Sequence, residues 1–248
     1  MSFSLIIPCY NYENLIVQKY KQLSIKLKKI NQKHEIIFIN DGSEDNTLKK
    51  LRSLKQKNRN IKILNNKSNV GKSFSLIAGI KKSKYEKIII YDCDLPYLNY
   101  FEKIVKHLNS YSLVYINRKS KESRLDSRLL NPYQLSRFII GRLMCFLINF
   151  FCLDLNTGDT QAGLKGFIKP KKFKNIIFKS KKFFFDAEIM IIYQKINKKM
   201  KYIPVKYSVP KDSTIKIFEL KNLIYIYELL KVIIFYNIVN IKKFEKLF

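Results

Sequence analysis

Short runs of consecutive apolar residues alternate along the chain with longer stretches in which apolar residues recur every three or four positions. The short runs predict strands at residues 3–8, 34–40, 61–64 and 86–91, and the periodic stretches predict helices at residues 14–30 and 71–82, with another running through residue 51. Strands that are apolar throughout are buried on both faces, so this alternation predicts a mostly parallel sheet wrapped by helices. Ser43 or Asp45 is expected to cap the second helix.

The pattern changes in the second half of the chain, after a predicted helix at residues 101–108 and a strand at 113–116. Residues 117–131 are polar and rich in Arg and Lys, which predicts a mobile surface loop near the functional site. The elements expected after it are a long apolar helix at 133–153, a compact loop at 156–163, a strand at 164–168, a helix at 186–196, a strand at 202–207 and a basic helical tail from 215. We therefore predict an α/β domain at residues 1–213 and an amphipathic helical tail at 214–248.

Composition narrows the class of protein. Of the 248 residues 47% are apolar, which is typical of a folded chain rather than a disordered one. The net charge of +29 favours polyanionic partners such as nucleic acid, anionic lipid headgroups or phosphorylated substrates, although an AT-rich coding bias would also produce it. The four cysteines lack C-x-x-C spacing, so neither zinc nor a disulfide framework is expected, and a reduced cytosolic setting fits best.

The sequence shows no segment typical of secretion or of a membrane span. It opens directly into an apolar strand, without the basic region and small-residue cleavage site of a signal peptide. No stretch reaches the roughly 18 uncharged apolar residues expected of a spanning helix. The nearest approach is residues 222–240, which Glu228 and Lys231 interrupt.

Two carboxylates follow the predicted strand at 86–91. Asp92 and Asp94 are spaced i, i+2 and precede Leu95-Pro96, which halts the strand. Ligands of open α/β sheets bind beyond the carboxyl ends of the strands, and paired hard oxygen ligands suit a divalent cation that holds a diphosphate. The alternative is a plain polar turn.

Two nucleotide-binding motifs are incomplete. Val70-Gly71-Lys72-Ser73 resembles the end of a P-loop, but Asn66 stands where that motif requires glycine. The first strand is followed by Cys9-Tyr10-Asn11 rather than by the glycine-rich dinucleotide fingerprint. Neither a P-loop nucleotide site nor an NAD-type cofactor is therefore favoured.

A series of motifs, in order along the chain, resembles a known family. Residues 3–11, 40–43, 69–72 and 92–94 are similar to the donor half of family-2 glycosyltransferases with the GT-A fold. Residues 158–167 and 185–189 narrow the resemblance to the polyprenyl-phosphate (dolichyl-phosphate) glycosyltransferases, closer to the glucosyl than to the mannosyl type. The resemblance covers about residues 3–213 and implies a nucleotide sugar as donor.

The resemblance assigns roles on the donor side. The positions expected to bind the donor are Pro8, Tyr10, Asn11, Glu13, Asp41, Lys72 and Asp92. Asp92 and Asp94 match the D-x-D motif, in which Mg²⁺ or Mn²⁺ bridges the carboxylates and the diphosphate. Pro96 stands where some relatives carry a glutamine that joins the metal, so the resemblance leaves the full ligand set open.

On the acceptor side, Arg118, Arg137 and Arg142 match positions expected to bind a lipid phosphate, for which the planar guanidinium is well suited. Asp159 is the first candidate for acid–base or electrostatic assistance, and Asp186 and Glu188 are the alternatives. A phosphate monoester is largely ionised at neutral pH, because its second pKa is near 6, and needs little deprotonation.

The resemblance therefore implies a metal-dependent, inverting glycosyltransferase on the cytoplasmic face of the membrane. The enzyme is expected to move a hexose, glucose in the first instance, from a nucleotide sugar such as UDP-glucose or GDP-mannose to a polyprenyl phosphate. The apolar helix and the tail are expected either to lie at an anionic membrane surface or to serve as core or oligomer helices. An alternative is a family-2 enzyme with a glycan or soluble acceptor in envelope polysaccharide synthesis. A non-catalytic polyanion-binding protein is a remote alternative, because no nucleic-acid reading surface is recognisable.

Overall fold

The computed structural model describes residues 2–126, 131–154, 157–209, 223–239 and 246. Nine strands are present in this part of the chain: β1 Ser2–Cys9, β2 Lys33–Asp41, β3 Ile61–Asn66, β4 Lys87–Tyr91, β5 Leu113–Asn117, β6 Arg124–Leu125, β7 Leu164–Ile168, β8 Met200–Pro204 and β9 Lys206–Tyr207. Seven form one sheet in the order β3-β2-β1-β4-β7-β5-β8, and β6 pairs with β9. In the large sheet β7 runs antiparallel to its neighbours, and the other pairs are parallel.

Helices cover both faces of the sheet, as its apolar strands require. The described helices are α1 Ile16–Ile30, α2 Thr47–Gln56, α3 Lys72–Lys82, α4 Phe101–His107, α5 Pro132–Cys152, α6 Phe185–Lys195 and α7 Leu223–Ile238. Buried residues of α1, α2 and α4 form one apolar core with the sheet, and buried residues of α3, α5, α6 and α7 form a second core. The chain is thus a three-layer α/β/α structure.

The antiparallel strand β7 determines which loops meet. Because β7 runs against β4, its first residue, Leu164, lies opposite Tyr91, the last residue of β4. The backbone N–H of Asp92 donates to the carbonyl of Gly163 at 2.9 Å. The loop that precedes β7 therefore lies at the sheet edge where β4 and β5 end.

The predicted elements agree with the observed ones to within about two residues, apart from three local differences. The expected loop at 117–131 contains β6, and the expected strand at 202–207 is divided at Val205, whose carbonyl accepts the N–H of Arg124. Asn46, rather than Ser43 or Asp45, precedes α2 and makes no side-chain cap. The Asp45 carboxylate instead accepts the N–H of Thr47 at 2.9 Å.

By length and composition alone the helix α5 is long and apolar enough to cross a membrane, and 22% of its most apolar window is buried. It does not reach the roughly 18 uncharged apolar residues used as the criterion in the sequence, because it carries Arg137 and Arg142. The predicted domain boundary at 213 lies outside the described residues and stays a prediction, as does the helical character of the tail outside α7.

Candidate active site

Asp92 and Asp94 lie directly beyond β4. The buried side chain of Cys93 between them has its Sγ 2.8 Å from Sγ of Cys9. Among the described residues, Asp94 Oδ1 is buried without a hydrogen-bond partner. Burial, with the charge of Asp92 as the next cause, raises the pKa of Asp94 to about 6. An orphaned carboxylate oxygen beside a second carboxylate fits a divalent cation.

The acidic pair alone does not complete a metal coordination sphere. In the part of the chain that the structure describes, no three His, Cys, Asp or Glu side chains cluster as metal ligands. A hard cation takes six or more oxygen ligands, often including substrate phosphates. A cation at Asp92 and Asp94 would therefore draw its other ligands from water or from a bound diphosphate.

Lys72, at the start of α3, connects the acidic pair to a buried ion network. Its Nζ lies 2.7 Å from Asp92 Oδ1 and 3.1 Å from Asp186 Oδ2. Burial alone would lower the pKa of Lys72, but Asp186 and Asp92 more than offset burial and raise it. Lys165, which is completely buried, lies 3.0 Å from Asp186 Oδ1 and donates to the carbonyl of Ala162.

The sequence predicts no role for Lys165, and it gives Asp186 only as an alternative to Asp159 for acid–base or electrostatic assistance. The available signal was a lysine within the short apolar strand β7, because a lysine is almost never fully buried unless it is paired. Burial would raise the pKa of Asp186, whereas Lys165 and Lys72 lower it. Asp186 is therefore the anion that holds both lysines at this edge.

The loop after β1 is tied to the loop after β2. The Asn11 side-chain carbonyl accepts the N–H of Glu44 at 2.9 Å, and the Glu13 carboxylate accepts the N–H of Asn46 at 2.9 Å. Pro8 lies within β1, and Tyr10, which follows it, is half-buried. The four residues predicted here to bind the sugar donor, Pro8, Tyr10, Asn11 and Glu13, thus lie at the end of β1 and in the loop after it. In the structure, the side chains of Asn11 and Glu13 hold this loop against the loop after β2.

Asp41, the last residue of β2, holds the segment that leads to α3. Its carboxylate accepts the backbone N–H groups of Val70 at 3.1 Å and Gly71 at 2.9 Å, and the side-chain amide of Asn66 at 2.9 Å. A hydrogen bond from the donor to Asp41 would therefore share carboxylate oxygens that are already engaged within the chain. The sequence placed Asp41 at this edge but carried no signal for these bonds.

Arg118 and Asp159 form a bidentate ion pair beyond β5. The Arg118 Nη2 donates to Asp159 Oδ1 at 2.9 Å, and Nε donates to Oδ2. Burial alone would raise the pKa of Asp159, which has no exposed surface, but Arg118 holds that pKa well below its usual range. Asp159 is thus a permanent anion whose oxygens face Arg118, an arrangement that orients the guanidinium and disfavours a role as base.

Tyr97 is a half-buried residue three positions after Asp94. The pKa of Tyr97 is raised, first by burial and then by the negative charges of Asp159 and Asp92, while the positive charge of Arg118 opposes the rise. Charges from the acidic pair and from the Arg118–Asp159 pair therefore both affect the phenol. Tyr97 and Leu95 both have left-handed backbone, with φ of 61° and 52°. Such conformations cost about 1–3 kcal/mol each and are characteristic of functional loops.

A cavity of about 500 Å³ opens beside Arg118, at the residues that follow it in the chain. Its wall includes Lys119, Lys121, Arg142 and Phe146. Arg142 is exposed and stacks over the ring of Phe138 at 5.1 Å. Arg137 lies over the ring of Tyr133 at 5.9 Å and is not part of this wall, so of the three predicted acceptor arginines Arg142 lines the cavity and Arg118 adjoins two of its wall residues in the chain.

Comparison with known proteins identifies the family of the chain. Residues 4–171 match the glycosyl transferase family 2. The chain belongs to that family. Over 161 residues it is 37% identical to an uncharacterized glycosyltransferase of Synechocystis sp., a match covering 64% of this chain and 49% of that protein. The chain therefore spans about half the length of this relative.

Two further comparisons bear on the prediction. A dolichyl-phosphate beta-glucosyltransferase of Dictyostelium discoideum is 29% identical over 208 residues, covering 78% of this chain and 62% of that protein. A solved structure with a similar fold is glucosyl-3-phosphoglycerate synthase from Mycobacterium tuberculosis in complex with Mn²⁺, UDP and phosphoglyceric acid. Its TM-score is 0.64 at 16% sequence identity, and the match covers 94% of this chain and 78% of the synthase chain. This likeness confirms the predicted GT-A fold, and the family match confirms the predicted resemblance to family-2 glycosyltransferases.

Proposed function

We propose that the chain transfers a hexose, glucose in the first instance, from a nucleoside diphosphate sugar to a polyprenyl phosphate, with inversion at the anomeric carbon and with Mg²⁺ or Mn²⁺. One observation carries the proposal. The loop that precedes β7 joins the two acidic groups: the carbonyl of Gly163 accepts the N–H of Asp92, and Asp159 of the same loop pairs with Arg118. A cavity with cationic residues in its wall lies beside this loop and continues along the apolar helix α5. The dolichyl-phosphate relative supports this choice of acceptor.

In the donor half, Asp92 and Asp94 would hold the metal ion, which when bound neutralises charge on the departing diphosphate. Lys72 is fixed 2.7 Å from Asp92 and supplies a second positive charge at the same position. The loops after β1 and β2, joined through Asn11 and Glu13, provide the walls for the nucleoside.

In the acceptor half, Arg118 binds the acceptor phosphate and Asp159 orients Arg118. The phosphate is largely ionised at neutral pH, so it attacks without giving a proton to the protein. Its oxygen forms a bond to the anomeric carbon as the bond from that carbon to the diphosphate oxygen breaks on the opposite face. The nucleoside diphosphate leaves with the electron pair, and the sugar is inverted.

The apolar surface of α5 is the proposed contact with the membrane. Its exposed large apolar residues are Leu135, Ile139, Leu143, Phe146, Phe150 and Phe151. The helix α7 packs against α5 and also exposes apolar side chains. The whole chain carries a net charge of +29, which favours an anionic bilayer surface as the contact of these two apolar helices. We propose peripheral attachment on the cytoplasmic face.

The test is transfer of labelled sugar from UDP-glucose or GDP-mannose to undecaprenyl phosphate in detergent, with Mn²⁺ or with EDTA. Label in the lipid phase that requires the metal supports the proposal. Label that reaches only a soluble glycan acceptor, with none in the lipid phase, refutes the polyprenyl phosphate assignment. Asp92→Asn together with Asp94→Asn abolishes transfer to either acceptor if this is the donor site.

A further inference from the structure

Two buried carboxylates hold the backbone of residues 179–183, the segment before α6. Glu188 on α6 accepts the N–H groups of Lys179 and Ser180, both at 2.7 Å. Glu228 on α7 accepts those of Lys181 at 2.8 Å and Lys182 at 2.9 Å, and is 6% exposed. Each helix therefore holds part of the segment through a buried carboxyl group that accepts two of its N–H groups.

The same segment supports the start of α3, where Lys72 lies. The carbonyl of Lys182 accepts the N–H of Ser73 at 3.1 Å, and the carbonyl of Lys181 accepts that of Phe74 at 3.0 Å. A helix leaves its first N–H groups without internal partners, and here the segment supplies the acceptors. Gly71 permits this close approach, because a Cβ at that position would lie 2.8 Å from Lys182 Cα.

A second set of contacts runs from α7 to Lys72 through aromatic rings. The ring of Tyr225 on α7 meets the ring of Phe183 edge to face, with centroids 5.7 Å apart. The Nζ of Lys72 lies 5.9 Å from the centroid of Phe183. The helix α7 therefore reaches the lysine that pairs with Asp92 by a hydrogen-bonded route and by a packing route.

We propose that Glu228 is a positioning residue for the donor diphosphate: by holding residues 179–183 it places the first turn of α3 and, through it, Lys72. The identity of the ligand, a nucleoside diphosphate, rests on the proposed function. The residues that determine its binding would then include one on α7, a helix that lies beyond the residues that match the family. Donor affinity then depends on a helix that contributes no side chain to the acidic pair.

The decisive measurement is calorimetric binding of UDP, and separately GDP, with Mn²⁺ to the wild type, Glu228→Ala, Lys72→Ala and the double variant. We expect Glu228→Ala to weaken nucleotide binding about tenfold, and we expect no further loss when it is added to Lys72→Ala, because both act through one side chain. Losses that multiply in the double variant overturn the proposal, as does unchanged affinity in Glu228→Ala.

Glu228→Gln covers the case in which the alanine variant fails to fold, since it keeps one acceptor oxygen and should give a smaller loss of the same kind. Lys231→Ala, one turn further along α7, is the matched control and should bind as the wild type does. Hydrogen exchange at Ser73 and Phe74 needs no nucleotide, and we expect it to rise in Glu228→Gln and not in Lys231→Ala. If the wild type binds neither nucleotide, the proposed function fails, and unchanged exchange overturns the positioning role separately.

Discussion

Gly163→Ala tests whether the carboxylate of Asp92 must stay where it lies. A Cβ at Gly163 would be 2.3 Å from Asp92 Oδ2, 2.8 Å from its Cγ and 3.0 Å from Cγ of Pro96. Contacts of a Cβ under 3.0 Å essentially do not occur, so the carboxylate oxygen must move by about 0.7 Å or more. The backbones cannot separate freely, because the N–H of Asp92 donates to the carbonyl of Gly163.

A displacement of this size exceeds what a metal site tolerates, since metal–ligand distances vary by only about 0.2 Å. Misplacement of a catalytic group by about 1 Å can cost on the order of 100-fold in rate. We therefore expect Gly163→Ala to lower the transfer rate by roughly 100-fold and to weaken Mn²⁺-dependent UDP binding. Overpacking should cost about 1–3 kcal/mol of folding stability, so the variant should remain folded.

The assay is calorimetric titration of UDP with Mn²⁺, together with the transfer rate and a urea unfolding curve. Gly141→Ala is the matched control, because a Cβ there meets nothing within 4 Å on the exposed side of α5. That control should gain up to about 1 kcal/mol of stability and keep its kinetics. Wild-type binding and rate in Gly163→Ala would show that Asp92 need not hold its present position for transfer.

Three further changes have defined outcomes. Asp159→Asn leaves the Arg118 guanidinium without its anion, so we expect a loss of about 3 kcal/mol in urea unfolding and loss of transfer with donor binding retained. Arg142→Ala should raise the KM for the acceptor several-fold without changing donor affinity, whereas Arg137→Ala, outside the cavity, should change the KM less. Burial raises the pKa of Glu188 from 4.5 to about 7. Because the folded chain then binds more protons, stability should fall by at most about 3 kcal/mol as pH rises from 4.5 through 7, and Glu188→Gln should flatten that slope in urea unfolding.

Each of these outcomes can be contradicted. Equal acceptor KM values for Arg137→Ala and Arg142→Ala would show that the cavity does not bind the acceptor. Full transfer by Asp159→Asn would show that Arg118 needs no orienting anion. The groups that face Glu188 are the N–H groups of Lys179 and Ser180, the hydroxyl of Tyr236 and the carboxylate of Glu228. An unchanged pH slope in Glu188→Gln would assign the titration to another group.

Much of the donor half was predictable because it depends on local order. The strands β1 to β4 follow one another with helices between them, and their continuous apolar runs identify them as buried and parallel. Polar residues immediately after such strands must meet at one edge, which is why Asp41 and Asp92 were placed correctly relative to the sheet.

The pairings in the acceptor half could not be predicted because they depend on a strand order that the chain does not follow. Arg118 follows β5 and Asp159 precedes β7, and they meet because β7 enters the sheet antiparallel, between β4 and β5. The same insertion buries Lys165 against Asp186. Local apolar patterns set the type of each element, whereas partner choice across the sheet is a tertiary property.

The position of β7 also constrains how the protein can assemble. Strands β3, β2, β1 and β4 can pair as soon as residue 91 has been made, but β5 has no partner among them. The edge of β4, which leads into Asp92, has its second partner only once β7, which ends at residue 168, has been made. Pairing of β7 with that edge places Gly163 against Asp92 and Asp159 against Arg118 together. A nascent chain shorter than this therefore carries Asp92 and Arg118 without the loop that both of them contact.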